Sequence, residues 1–185
     1  SINKLLELKN DGDSLSFEFE SYAQLDIYFL ELLDYFNEFF EEDKQILMHY
    51  THNWWPLVYP MKEKQVIRKL KSGFFCICGA DSEIDKFCCN YEKKIGINVL
   101  QSKDKGLHWN VNVMGDLIFS FYGDDEINKE IHDFFKKFKD LKSLDLDQLT
   151  GLLEKKGLFR VVVLKDSIYA RKVLEETKLF NLKKK

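Results

Sequence analysis

Proline is almost missing from this chain. Only Pro56 and Pro60 occur in 185 residues, and both lie in one stretch, THNWWPLVYP, over residues 51–60. With nine glycines besides, no segment has the Pro/Gly/Ser composition of an interdomain linker, and the length favours one domain, residues 1–185, over two. Long apolar runs are missing too. None reaches the ~18 residues that a membrane span requires, and the amino end lacks the charged, apolar, small-residue order of a signal peptide, so no membrane role and a cytoplasmic location are expected. Ser1 is not an initiator methionine, so the amino end is expected to be processed, cloned or cut from something longer.

Cysteine is scarce and clustered. Cys76, Cys78, Cys88 and Cys89 fall within fourteen positions, yet no spacing is the C-x₂-C that suits tetrahedral zinc. Buried free thiols are the expectation, with no metal and no cofactor. A strong charge of one sign is also lacking, since the net charge is −3. Residues 1–60 hold 3 Lys/Arg against 12 Asp/Glu, and the remainder 25 against 19. A basic second part suits a small anionic ligand. It forms no clustered stripe, which argues against direct nucleic-acid binding by this chain.

What is present is an apolar content of 45% arranged in short blocks. Residues 15–19 alternate as a half-buried strand does. Ser21 can cap a helix over 22–42 with Leu25, Phe29, Leu32, Leu33 and Phe36 on one face. Strand Ile46–Tyr50 precedes the proline loop. There Trp54, Trp55 and Tyr59 either pack onto the sheet edge or stand exposed as a partner-binding surface. Helix 61–71, strand Phe74–Cys78, helix 82–95 and strand Ile97–Leu100 then alternate, as in parallel strands with crossover helices. Trp109–Met114 and Leu117–Phe121 form a hairpin around Gly115-Asp116, and Asp124-Asp125-Glu126 opens a helix over 124–142. A short helix capped by Asp145 or Asp147, strand Phe159–Leu164 and helix 167–179 close the chain. The predicted fold class is α/β: a mixed, mainly parallel sheet with helices on both faces and a mid-chain hairpin, Val162 lying buried near its centre.

The order strand, helix, strand, Leu107-His108, hairpin, then a helix with Phe134-Phe135 resembles one half of a phospholipase D superfamily domain. It also resembles the degenerate version that serves as effector part of some prokaryotic transcription regulators, including sugar-sensing archaeal ones. The resemblance covers residues 73–140. The family pattern is His-x-Lys, four spacers, Asp, with the histidine as nucleophile on a phosphodiester. Here His108 matches, Asn110 replaces the lysine, and the acid comes one place late as Asp116. The family's second copy has no match, because neither His49 nor His52 is followed by a lysine two places on. That pair reads as surface polar residues.

Other catalytic signatures are missing: no G-x-G-x-x-G, Walker lysine loop, G-x-S-x-G or H-E-x-x-H occurs. A Cys76 nucleophile with His108 as its base is a pairing that only a fold can establish. The leading expectation is a non-enzymatic regulatory or ligand-sensing domain, binding a small anion or a protein partner where strands end at Gly79, Ala80, Asp81 and Ser82, with His108 and Asn110 in the same pocket. One alternative is a hydrolase using His108 and Asp116. Another is a homo-oligomerising module built on the aromatic loop. Asn110 supplies no positive charge for a phosphoryl transition state. We therefore expect background rates on bis-nitrophenyl phosphate, unchanged in His108→Ala; turnover that vanishes in this variant would establish the hydrolase.

Overall fold

A computed structural model describes residues 2–40, 44–70, 73–102 and 111–183. After a 3-10 turn over Ile2–Glu7 come β1 (Ser14–Phe19), α1 (Tyr22–Asp34), α2 (Phe36–Phe39) and β2 (Ile46–Tyr50). The chain continues through α3 (Trp55–Val58), α4 (Pro60–Lys69), β3 (Phe74–Cys78), α5 (Glu83–Ile95) and β4 (Asn98–Gln101). The hairpin β5 (Val111–Met114) and β6 (Leu117–Tyr122) leads to α6 (Asp125–Lys137), α7 (Leu146–Glu154), β7 (Phe159–Lys165) and α8 (Ser167–Lys183). All seven strands join one sheet in the order β1-β7-β6-β5-β2-β3-β4.

Both faces are covered. On one, Phe29, Leu32, Leu33 and Phe36 from the α1–α2 segment, with Val66 of α4, pack on Ile46, Cys76, Met114, Phe119, Val161 and Val163. On the other, Ala170 and Val173 of α8 close over Leu47, Ile77, Val113 and Ile118. The period-2 alternation of each strand sends neighbouring residues to opposite faces, so both can be apolar only where both are covered, as in β2 and β3. A third cluster gathers beyond the sheet's end, from Ile84 and Cys88 of α5, Ile131 and Phe135 of α6, Leu149 and Leu153 of α7, and Phe159.

The mixed α/β sheet with helices on both faces and a mid-chain hairpin stands as expected, but the balance of strand directions does not. Only β2–β3 and β3–β4 are parallel; β1–β7, β7–β6, β6–β5 and β5–β2 are antiparallel. The helix–strand alternation over 61–100 correctly implies the two parallel crossovers. A two-residue turn forces β5 and β6 antiparallel, and β1 and β7 then flank that hairpin. Val162 is half-buried in the second strand from an edge, with Ser16 and Ser120 as lateral neighbours, while Val161 and Val163 are buried. The first helix breaks at Tyr35 instead of running to 42. The proline loop is partly helical, because Pro56 and Pro60 each sit in a first turn, where no amide hydrogen is needed.

Gly115 adopts φ +62°, and a Cβ there would run into the Phe40 ring. Strain and overlap add, so Gly115→Ala should lower unfolding free energy by about 1–3 kcal/mol in urea titration. A neutral result would show that the turn and Phe40 can shift.

Candidate functional site

β2 is the strand at which the sheet changes direction, with parallel β3 on one side and antiparallel β5 on the other. Its pairing with β5 covers only Ile46 and Leu47. Beyond them side chains take over: the His49 amide donates to Asn112 Oδ1 at 2.5 Å, and His49 Nδ1 lies 2.8 Å from the Val111 carbonyl. At the carboxyl end of β2 the strand gives way to Thr51–Trp55. A cavity of about 580 Å³ opens there, lined by this loop, one face of α1, Glu63 of α4, Glu92 of α5, and α6 residues including Asn128 and His132.

Two chains of polar contacts organise its wall. In the first, Asp85 is fully buried at the start of α5, where its carboxylate accepts from Ser82 Oγ (2.6 Å), the Asn53 amide (3.3 Å) and His52 Nδ1 (3.0 Å). His52 Nε2 meets His132 Nδ1 at 2.7 Å, and the His52 ring stacks on Phe135 at 4.3 Å. A His52 that donates through Nδ1 to Asp85 and accepts at Nε2 takes its second hydrogen bond from His132 Nδ1, which leaves Nε2 of a neutral His132 as an acceptor. Burial, followed by the neighbouring His52, holds His132 below the usual imidazole range.

In the second, Trp54 and Trp55 each donate an indole N–H to one oxygen of Asp26, both at 2.8 Å. Burial pushes the Asp26 carboxyl up to about 7, against the pull of the two indoles. Farther in, Tyr50 donates its hydroxyl to Glu92 Oε2 at 2.5 Å, beside Glu63. Burial and the Glu92 carboxyl push Glu63 up to about 9, and burial lifts Glu92 to about 7.

Of the residues singled out from sequence, Trp54 and Trp55 line this cavity, turned inward onto Asp26 rather than outward to a partner. Tyr59 is half-buried just outside the lining. Gly79, Ala80, Asp81 and Ser82 do not line it. The Gly79 amide bonds the Tyr50 carbonyl, and Ser82 and Asp85 form a reciprocal cap on α5. Asp116 is at the opposite end of the sheet, in an ion pair with Lys44 at 2.8 Å. His108 and Asn110 lie outside the described residues. His52 is buried rather than a surface residue, since a neighbouring carboxylate and imidazole satisfy both ring nitrogens. Among the described residues, no three His, Cys, Asp or Glu side chains converge as a metal site. The four cysteines are free and buried. Asp85, His132, Glu63 and Glu92 carried no signal in sequence beyond the Ser82-x-x-Asp85 capping pattern.

No protein-family model matches the chain, and no curated protein does. A solved structure is similar. It is that of TrmBL2, an archaeal chromatin protein with a novel mode of DNA binding; the sequences are 10% identical, the TM-score is 0.46, and the match covers 98% of this chain. The chain spans 57% of the length of that solved chain. That neighbour is a chromatin protein, with which a regulator-type relation is compatible. It also corrects the expectation, drawn from charge, that argued against direct nucleic-acid binding, because TrmBL2 is a DNA-binding protein. Among the described residues no helix is long and apolar enough to cross a membrane.

The buried acids set a pH dependence. A carboxyl whose folded pKa is raised binds more protons folded than unfolded, so its stabilising contribution is present at low pH and is lost as pH climbs to the folded value. For Glu63 that window runs from ~4.5, the ordinary value, to about 9. His132, held low, acts in the opposite sense only below its ordinary range. Urea midpoints should therefore show the parent losing stability relative to Glu63→Gln as pH rises from 5 to 9. A pH-independent difference would mean that Glu63 is ionised throughout.

Proposed function

We propose that residues 1–185 form one ligand-sensing regulatory domain without enzymatic activity, whose ligand occupies the cavity at the carboxyl end of β2. The observation that carries this reading is the cavity itself. Its volume, about 580 Å³, falls in the range of small-molecule sites, and its wall combines aromatic faces with a few inward polar groups. Its place supports the same reading, because open α/β sheets hold ligands outside strand ends where the strand order reverses. A non-catalytic effector domain like those the phospholipase D-like pattern suggests, acting in transcription control, belongs to this proposal.

The anionic ligand expected from overall charge fits this cavity poorly. Asp26, Glu63, Glu92 and Asp125 face it, and its one arginine, Arg160, is paired with Glu18 at 2.7 Å. Hydrolysis has one observation in its favour, the Asp85–His52–His132 chain, which could ready a base. Among the described residues no hydroxyl or thiol hydrogen-bonds to His132, and Asp116 lies at the far end of the sheet. Contacts between copies of the chain through the aromatic loop lose support from the inward turn of both indoles.

Met48 lines the cavity from β2, and a larger ring there would narrow it and obstruct a ligand. Thermal unfolding of the protein against a panel of small amines, amino acids, sugars and nucleosides should find a compound that raises the parent's midpoint but not that of folded Met48→Trp. At a hundredfold excess over Kd the gain is about 2.7 kcal/mol. A parent that answers to none, or a variant that answers equally, would overturn the reading.

A further inference from the structure

One wall of the cavity holds two buried carboxyls side by side with no positive group beside them. Glu63 is 1% exposed, and no N–H or hydroxyl donor reaches its carboxyl, whose hydrogen-bond neighbour is the Glu92 carboxyl. A buried carboxyl without such donors is disfavoured in its charged form. Glu92, 2% exposed, stands beside it, and the Tyr50 hydroxyl is committed to Glu92 rather than to Glu63. The other titratable groups that sense Glu63 are Cys76, Cys88 and Tyr91, none of them positive. Arg68 acts on Tyr91, but no lysine, arginine or histidine is among the groups that offset the charge of Glu63 itself. Two buried carboxyls side by side can coexist only with a proton or a cation between them.

We propose that the cavity binds a small organic amine, its ammonium seated between the Glu63 and Glu92 carboxyls and its carbon chain against the aromatic wall. This rests on the reading of the cavity as a ligand site and adds the class of ligand. An ammonium carries the charge the pair lacks and has three N–H donors for the Glu63 oxygens and for Glu92, which also accepts from Tyr50 and Asn53. Phe29, Phe121, Trp54 and Tyr22 line the same cavity, and aromatic faces attract cations as well as cover hydrocarbon. Space and donor set both favour an organic cation over a metal ion: the cavity far exceeds a bare ion, and the described acids do not converge in a group of three or more that could hold one. Glu63 is protonated in the empty site at neutral pH, so the amine takes the place of a proton, which leaves to the buffer.

Calorimetry of the protein at pH 7 with n-butylamine and 1,4-diaminobutane, in two buffers of different ionisation enthalpy, tests this. We expect saturable binding by at least one amine with net proton release, no comparable binding of 1,4-butanediol or glucose, and no effect of equal sodium chloride. Glu63→Gln keeps the shape and should remain folded, with a midpoint at pH 7 no lower than the parent's. Its amine affinity should fall at least tenfold, with the proton release lost. Equal binding by parent and Glu63→Gln, binding without proton release, or failure of both amines would overturn the proposal. Preference for the diol or glucose, blocked by Met48→Trp, would overturn the amine while leaving the cavity reading standing. Silence across the whole panel would remove both.

Discussion

The structure depends on how β2 is paired. On one side it lies parallel to β3 along its whole length, while on the other it holds β5 through Ile46 and Leu47 alone. The backbone groups beyond those two still need partners, and the fold supplies side chains: Asn112 for the His49 amide, His49 for the Val111 carbonyl. Where a ladder would have closed the surface, β2 and β5 part, and the chain leaving β2 is free to carry His52, Asn53, Trp54 and Trp55 over the gap.

The polar groups around that gap share a common economy. Every buried carboxyl is either tied to donors from other elements, as Asp85 is to Ser82, His52 and Asn53, or is left with its charge disfavoured, as Glu63 is. The first kind positions: Asp85 joins the start of α5 to the loop after β2, and through His52 to α6. The second kind is held in its protonated form. Keeping the proton is favoured, because transferring an unpaired charge out of water is costly. Asp26 stands between the two. It accepts two indole N–H bonds and is still raised to about 7, since burial outweighs two neutral donors.

The aromatic loop shows how one feature admits opposite readings until its partners are known. Two adjacent tryptophans beside two prolines admit a loop packed onto the sheet edge or an exposed surface, because the prolines prevent strand pairing. The prolines instead begin short helices, and both indoles are drawn inward by a single carboxylate on α1, nearly thirty residues earlier in the chain. The same carboxylate thereby makes them a wall of the cavity. Their N–H groups need an acceptor once buried, and Asp26 is the one the fold offers.

Local rules determined much of this protein from the sequence alone. Strands Ile46–Tyr50 and Phe74–Cys78 end where periodicity and glycine place them, and Ser21, Ser82, Asp124 and Asp145 cap the helices they precede. The Gly115-Asp116 turn and the two parallel crossovers follow from equally short stretches of chain. The direction of β1 and β7, the half-burial of Val162 and the position of Asp116 far from the cavity were decided by which strands become neighbours, and no window of ten residues records that. The site belongs wholly to this second kind. His52 meets Asp85 across 33 positions and His132 across 80, while Glu63 and Glu92 come together from two helices. Single carboxylates and imidazoles look like ordinary surface residues in a sequence, because what distinguishes them is the removal of water and the arrival of a distant partner, and both are products of tertiary packing.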